Sequence, residues 1–188
     1  MPERTVLERR DALRMLAPGP VTLISTIHRD HPNLMTASWL LPLSLSPVYV
    51  GLAIQPSRLT HEFVSKSEAF AINIPNIDLL TAVNACGMTS GRDADKWQTT
   101  RLTPVDASEI EAPLIEECVG FIECLVVDRI TFGDHDLFVG RVVAVSAAAE
   151  AFPGHWDVSG DGGRILHHLG GDRYAGLGRN YQVTQPEE

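Results

Sequence analysis

The amino-acid sequence predicts an all-β fold with added short helices, in which strands joined by turns form a β-barrel. Apolar runs of strand length are short and numerous, whereas segments with helical periodicity are few and local. Strands and helices do not alternate regularly, so a parallel βαβ sheet is not indicated. A chain of 188 residues, 44% of them hydrophobic, is most simply one domain with a sizeable core.

The N-terminal segment, residues 1–17, predicts one short amphipathic helix. Its apolar residues fall at helical spacing with charges between them, and a Pro-Gly-Pro run at 18–20 would end the helix. Residues 21–28 alternate and predict a strand with one drier face. Residues 29–33 are polar and predict a turn.

Two β-rich segments follow this turn. Residues 35–45 predict a second strand that is interrupted at Pro42, because a proline in a sheet indicates an edge or a bulge. A turn at 46–47 leads to Val48–Ile54, which is nearly all apolar. This run predicts a strand buried on both faces.

The middle of the chain predicts two short helices on either side of a strand. Residues 60–67 could form one or two helical turns, and Ala69–Ile74 reads as a strand. Residues 78–86 predict a helix, with Asp78 placed to cap it and Gly87 placed to end it.

The second half predicts a β-hairpin. Residues 88–101 are polar and charged and lack strand character. Gly120–Phe132 and 137–147 predict two strands, joined by a hairpin loop over residues 133–136. The remaining chain is glycine-rich, predicts loops, and ends in a polar tail that we expect to fray.

The charge balance restricts the class of partner. A formal net charge of −9 argues against broad binding to nucleic acid or to anionic membranes, because both need a basic surface. The N-terminal segment has no apolar core typical of a signal peptide, and no apolar run approaches the ~20 residues of a membrane span. We therefore expect a cytoplasmic protein that binds neither nucleic acid nor membrane and meets any anion with specific local residues.

Several common site types are not indicated. Cys86, Cys118 and Cys124 are odd in number and form no CxxC pair, so we expect free, buried or semi-buried thiols. The paired histidines have no partner at a recognised spacing, so no metal site is expected. The sequence also lacks GxGxxG after a strand, GxxxxGK[ST] and the GxSxG nucleophile elbow.

Two hydroxyl-rich loops at the ends of a buried strand are the most informative feature. Thr36 and Ser38 precede the strand, and Ser57, Arg58 and Thr60 directly follow it. Arginine offers a planar fork of donors for phosphate, and hydroxyl groups add short hydrogen bonds. The loops therefore suggest an anion site, although a polar loop with a solvated arginine fits the spacing equally well.

The charged run over residues 90–97 is a second candidate. Arg92 and Lys96 lie four residues apart and would face one way on a helix, adding positive charge to the same pocket. Pairing with Asp93 and Asp95 on a solvated turn is the alternative, and the pattern alone favours it.

A third candidate is His135, which lies in a tight loop between Asp134 and Asp136. Such a histidine could donate a proton or stack on a ligand. A solvated turn histidine is the more frequent outcome of this pattern.

Seven short motifs follow one another along the chain: Asn33-Leu34-Met35-Thr36-Ala37-Ser38-Trp39, Pro56-Ser57-Arg58-Leu59-Thr60-His61, Cys86-Gly87, Ser90-Gly91-Arg92-Asp93-Ala94-Asp95-Lys96-Trp97, Ala112-Pro113-Leu114-Ile115-Glu116, Gly133-Asp134-His135 and Leu169-Gly170-Gly171-Asp172-Arg173-Tyr174. Together they resemble the flavin reductase-like family of FMN-binding split-barrel proteins. The match covers residues 18–178, with 1–17 as an N-terminal helical segment and 179–188 as a polar tail.

The resemblance implies a six-stranded antiparallel FMN-binding split β-barrel that forms a homodimer, with FMN near the subunit interface. The flavin ring would lie against residues 36–39, residues 57–60 would grip its phosphate, and the region of residues 90–92 would close over it. His135 matches a histidine near the flavin and is the catalytic candidate. The implied cofactor-binding residues are Met35, Thr36, Ala37, Ser38, Trp39, Ser57, Arg58, Thr60, Ser90, Gly91, Arg92 and Lys96.

The activity that the resemblance implies is an NAD(P)H-dependent FMN oxidoreductase, a flavin reductase that transfers hydride from NADH or NADPH to flavin. It could supply reduced flavin to a partner monooxygenase or reduce ferric complexes. A non-enzymatic FMN-binding electron carrier or flavin store is the alternative, because no separate dinucleotide fingerprint is present. A barrel that binds haem or pyridoxal phosphate is a third, weaker interpretation.

Overall fold

The computed structural model describes residues 5–16, 18–179 and 181. Within these residues the chain forms three antiparallel sheets. The strands are β1 Gly19–Pro20, β2 Thr22–His28, β3 His31–Ala37, β4 Leu40–Leu45, β5 Val48–Ile54, β6 Ala69–Ile74, β7 Pro104–Val105, β8 Leu114–Ile115, β9 Gly120–Phe132, β10 His135–Ala147, β11 Leu166–Gly170 and β12 Arg173–Gly176.

The chain also forms short helices. They are α1 Asp11–Leu16, α2 Leu59–Ser67, α3 Leu80–Met88 and α4 Lys96–Thr100, with a 3-10 turn at Ile77–Leu79. Across the described ranges, no helix has both the length and the apolar character needed to cross a bilayer.

The main sheet has seven strands in the order β3-β2-β6-β9-β10-β5-β4, and this hydrogen-bonded order does not close on itself. The expected count of six strands is therefore wrong. The extra strand arises because residues 35–45 form two strands, with the break at Ser38 and Trp39 and not at Pro42. The predominantly β character with few short helices is confirmed.

The break also explains the curvature of the sheet. β3 and β4 lie at opposite edges of the sheet, yet only Ser38 and Trp39 separate them in the chain. Three residue steps span at most about 11 Å, so the two edges approach each other at this crossing. The sheet is therefore curled like a barrel that is open along one seam.

Pro42 behaves as its sequence context predicts. It lies on the edge strand β4, and the pairing of β4 with β5 shifts register between Pro42 and Ser44. The edge and the irregularity both accommodate a residue that has no N–H to donate.

The predicted turn at residues 29–33 is shorter in the structure. Arg29 and Asp30 make the turn, with φ values of 50° and 61°, and His31 already begins β3. The hairpin loop after β9 contracts in the same way: Gly133 and Asp134 alone lie between β9 and β10. In both cases cross-strand pairing extends into polar residues that local preference alone assigns to loops.

The helix start predicted at Asp78 is wrong. The side chain of Asn76 accepts a hydrogen bond from the Asp78 backbone N–H at 3.2 Å, so the 3-10 turn begins earlier and α3 begins at Leu80. Gly87 does not end α3 but lies within it. A Cβ at Gly87 would lie 3.4 Å from the Cβ of Thr36, so the helix packs closely on β3 there.

Other segments differ in detail. The N-terminal helix is confined to Asp11–Leu16 and buries no side chain. Val48–Ile54 is a strand, but Val48 is exposed and only the C-terminal half is buried. β11 and β12 lie in the glycine-rich region expected to form loops. The polar tail lies almost wholly outside the described residues.

The core has one cluster on each face of β2. Leu23 packs with Leu34, Val83 and Trp97 beneath α3 and α4, whereas Ile24 belongs to the barrel interior. Alternate residues of a strand face opposite sides, so one strand supports both clusters. All three cysteines are buried within these clusters.

Asn73, on β6, satisfies three polar groups from two other strands. Its amide nitrogen donates to the Leu23 carbonyl at 3.0 Å and to the Ser25 hydroxyl at 2.9 Å, and its amide oxygen accepts from the Ile115 N–H at 2.9 Å. The residue is fully buried. Asn73 therefore joins its own strand, β6, to β2 and β8 through buried hydrogen bonds.

We predict that Asn73→Ala lowers the free energy of unfolding by about 3 kcal/mol, because each buried group that loses its partner costs about 1–3 kcal/mol. Urea denaturation followed by circular dichroism measures this change. The matched control is Asn84→Ala, which truncates an exposed asparagine and should change stability by less than about 0.5 kcal/mol. Equal losses in the two variants would contradict this role for Asn73.

Candidate functional site

A cleft opens where the seam of the sheet meets α2 and α3. It consists of a cavity of about 320 Å³ and a neighbouring cavity of about 180 Å³, which share Met35, Thr36 and Arg58 as lining residues. The larger cavity is called the helix end because the N-terminus of α2 bounds it. The smaller is called the hairpin end because its wall includes His135, the first residue of β10.

The cleft collects nearly all of the side chains singled out from the sequence. Arg92 alone of that set does not line it. The residues that do are Met35, Thr36, Ala37, Ser38, Trp39, Ser57, Arg58, Thr60, Ser90, Gly91, Lys96 and His135.

The helix end is built around the first turn of α2. Arg58 is the N-cap residue, with φ −79° and ψ 141°, and no side chain caps the helix. The first N–H groups of a helix have no intrahelical partner and carry the positive end of the helix dipole. These backbone donors therefore remain available to an anion in the cavity.

The Arg58 side chain adds a full charge at the same place. It is exposed, and it makes no ion pair with any residue in the described part of the chain. The chain as a whole carries 15 basic and 24 acidic residues. Positive charge at the helix end is thus a local property that the overall charge balance does not predict.

Asn33 fixes the first turn of α2 to β3. Its amide nitrogen donates to the Thr60 hydroxyl at 2.8 Å, and the residue is only 5% exposed. The amide oxygen of Asn33 is buried and has no partner among the described residues. A Cβ at Gly91 would lie 2.0 Å from this oxygen, so the backbone of the loop before α4 packs directly on Asn33.

Lys96 supports the wall of the cleft from beneath. Its amine donates to the carbonyl oxygens of Leu34 and Cys86, both at 2.8 Å, and so joins β3 to α3. Burial lowers the pKa of Lys96; the Cys86 thiol opposes this change, and the Arg58 guanidinium adds to it. The lysine is thus held by internal hydrogen bonds and strengthens the site chiefly by fixing its walls.

Arg92 has a different environment from the one expected. Residues 90–95 form a turn, and α4 begins only at Lys96, so Arg92 and Lys96 do not share a helical face. The Arg92 guanidinium pairs with the Glu62 carboxylate at 2.8 Å and not with Asp93 or Asp95. Hydrogen bonds from Lys66 and then from Arg92 lower the pKa of Glu62 to about 2.

An aromatic pair forms the hairpin end. The rings of Trp39 and His135 lie 4.8 Å apart between centroids at an interplanar angle of 36°. Nδ1 of His135 lies 2.8 Å from the Asp134 carboxylate. This hydrogen bond and the charge of His135 lower the pKa of Asp134. Each ring presents an aromatic face on which a planar ligand can pack.

Thr36 connects the two ends of the cleft. Its hydroxyl donates to the Val83 carbonyl in α3, so the donor capacity of this side chain is used inside the protein. The residue can therefore offer its surface and its acceptor lone pairs, but not its proton, to a ligand.

Several lining residues were not predicted from the sequence. They lie on β3, α2 and α3 and in the segments that follow β5 and α3, and they include Asn33, Gln55, Leu59, Cys86, Gly87 and Thr89. Asn33 and the Cys86-Gly87 pair lie within motifs that the sequence analysis quoted, so position in a motif was the available signal. Their side chains carry no pattern that separates lining residues from core residues.

Comparisons with known proteins identify related sequences and a related fold. A family model described as "Flavin reductase like domain" matches residues 14–165. An uncharacterized protein of Archaeoglobus fulgidus is 35% identical over 158 residues, which is 84% of each chain. An NADH:riboflavin 5'-phosphate oxidoreductase of Streptomyces pristinaespiralis is 28% identical over 147 residues, covering 77% of this chain and 79% of the relative.

A solved structure shows the same fold. The FMN-binding protein from Thermus thermophilus, crystallised with bound p-hydroxybenzaldehyde, superposes with a TM-score of 0.84 at 27% identity. The match covers 98% of this chain and 100% of the other.

We predict that Gly91→Ala lowers the free energy of unfolding by about 1–3 kcal/mol, the usual cost of forcing a methyl group into packed space. Its Cβ would meet the Asn33 amide and the Leu59 side chain, so the loop must move away from Asn33. Urea denaturation measures the loss. Gly160→Ala is the control, because its Cβ would meet no atom within 4 Å. An unchanged Gly91→Ala variant would show that the loop does not rest on Asn33.

Proposed function

The chain belongs to the flavin reductase-like domain family, and on this premise we propose that it binds FMN in the cleft and reduces it with NADH or NADPH. The observation that carries the proposal is the Arg58 guanidinium, free of ion pairs with described residues, at the uncapped N-terminus of α2. It lies in one continuous cleft with the Trp39–His135 aromatic pair.

The helix end suits the phosphate of FMN. A phosphate monoester carries a charge of about −1.5 to −2 at neutral pH and three strong acceptor oxygens. Arg58 supplies a planar fork of donors, and the first turn of α2 supplies backbone N–H groups. Ser57 and Ser90 line the same cavity with hydroxyl groups that can donate to phosphate oxygens. The donor set therefore fits the group.

The hairpin end suits the ring system of the flavin. Thr36, Ser38 and Trp39 would hold the flavin ring against the end of β3 and the seam. His135, at the start of β10, would contact the ring from another wall of the cavity. The neighbouring rings of Trp39 and His135 would cover one side of the bound ring. Gly91 and Ser90 would cover the cofactor from the loop that Asn33 and the Arg92–Glu62 pair hold in place.

The chain needs no nucleophile of its own. Bound FMN supplies the hydride-accepting chemistry, and the protein supplies binding, orientation and electrostatics. His135 can hold a proton at a defined atom. A carboxylate only accepts hydrogen bonds, so Asp134 keeps a proton of His135 on Nδ1.

The proposal also includes the electron donor, the oligomeric state and the protein that receives reduced flavin. NADH is favoured as the donor because the Streptomyces pristinaespiralis relative is named for it. We propose a homodimer, supported by exposed apolar side chains on the sheet such as Leu45, Phe132 and Val145. Delivery of reduced flavin to a partner monooxygenase is the proposed physiological step.

We predict that the protein loaded with FMN loses its visible flavin absorbance when NADH is added without oxygen. Anaerobic stopped-flow mixing with NADH and then NADPH measures the rate of bleaching and the preferred donor. If FMN binds but neither nicotinamide bleaches it, the protein is an FMN-binding electron carrier or flavin store. If FMN does not bind at all, the proposed function is wrong.

We also predict that Arg58→Ala weakens FMN binding by about 1.5–3 kcal/mol, the scale of a hydrogen bond to a charged group. Riboflavin, which lacks the phosphate, should bind the variant and the parent protein equally. Quenching of flavin fluorescence measures both affinities. Arg173→Ala, which removes an exposed arginine outside the cleft, is the matched control. Unchanged FMN affinity in Arg58→Ala would contradict the phosphate assignment.

A further inference from the structure

A buried histidine–carboxylate pair lies beside the cleft without lining it. Nε2 of His61 lies 2.8 Å from a carboxylate oxygen of Asp136, and the two side chains are only 12% and 9% exposed. His61 is in the first turn of α2, and Asp136 is the second residue of β10. Neither residue lines the helix end or the hairpin end of the cleft.

The pair is held in one geometry by its surroundings. The Thr131 hydroxyl donates to the second oxygen of Asp136 at 2.7 Å, and Nε of Arg129 lies 3.8 Å from the oxygen that faces His61. The hydrogen bonds from Thr131 and then from His61 lower the pKa of Asp136. The His61 ring packs edge-on against Phe138 at 5.1 Å. A nearly buried carboxylate needs such partners, because leaving it unpaired costs several kcal/mol.

The His61–Asp136 pair connects two walls of the cleft, the first turn of α2 and the start of β10. His61 follows Thr60, which is itself bound to Asn33 on β3. Asp136 follows His135 at the hairpin end. The first turn of α2 is therefore fastened on one side to β3 and on the other to the β9–β10 hairpin.

The first turn of α2 needs this fastening. It has no side-chain cap, and the terminal turns of helices fray when nothing holds them. Arg58 and the unpaired N–H groups belong to this same turn. Any fraying would move the donors away from an anion in the cavity.

We infer that His61 is a positioning residue for the flavin phosphate: its hydrogen bond to Asp136 holds the first turn of α2, and with it Arg58, in the geometry that receives the phosphate. This inference rests on the proposed binding of FMN. His61 touches neither cavity, so it acts through the helix and not on the ligand.

The test compares FMN with riboflavin on two matched variants. The amide of His61→Gln reaches about as far as Nε2 of histidine and can donate to Asp136, whereas the amide of His61→Asn is one methylene too short. We expect His61→Asn to weaken FMN binding about tenfold, the effect of losing roughly one charged hydrogen bond. Riboflavin binding should change less than about twofold, and His61→Gln should bind FMN almost as the parent protein does.

Two further variants separate this inference from the proposed function. His155→Ala removes an exposed histidine outside the cleft and should alter neither affinity. Arg58→Ala reports on the phosphate site directly. If it weakens FMN selectively while His61→Asn does not, the role of His61 is overturned and the proposed function stands. If Arg58→Ala also leaves FMN binding unchanged, both are overturned.

A general structural role makes a different prediction. It requires His61→Asn to weaken FMN and riboflavin equally, and that result would overturn the inference. Asp136→Ser breaks the same hydrogen bond from the hairpin side. It must show the same selective loss of FMN binding, so the inference stays testable even if His61→Asn fails to fold.

Discussion

The crossing of the chain at Ser38 and Trp39 is the constraint on which the site depends. β3 and β4 are consecutive in the chain but occupy opposite edges of one sheet, so the sheet must curl until two residues can bridge its edges. Within the described part of the chain no hydrogen-bonded ladder closes the seam, and the hairpin end of the cleft opens along it. The residues that cross the seam therefore line the cleft by necessity.

The second determinant of the site is local electrostatics. The chain carries a net charge of −9, yet the helix end gathers the guanidinium of Arg58 and the positive end of α2. Buried polar side chains hold this arrangement: Asn33 ties α2 to β3, and Lys96 ties β3 to α3. The two hydrogen bonds of the Lys96 amine and the hydrogen bond from the Asn33 amide nitrogen offset part of the cost of burying these groups.

The sequence predicted most of the strands because their apolar runs are continuous. Val48–Ile54, Ala69–Ile74 and Gly120–Phe132 have the predicted bounds. Local polarity misplaced the boundaries elsewhere: His31 and His135 belong to strands because partner strands extend the hydrogen-bonded ladder over them. Asp78 was predicted to cap a helix because its residue type favours that role. In the structure, the Asn76 side chain accepts the hydrogen bond from the Asp78 backbone N–H and caps the preceding 3-10 turn.

The sequence by itself determined the chemistry that this protein can offer: hydroxyl groups, one arginine after a buried strand, a loop histidine, and the motifs of its family. Tertiary structure decided which of these residues meet. Arg92 pairs with Glu62, 30 residues away in the chain, and Asn33 reaches Thr60 across the interior. The buried His61–Asp136 pair joins residues 75 positions apart. Such contacts depend on the three-dimensional path of the backbone, and no local pattern of residue types encodes that path.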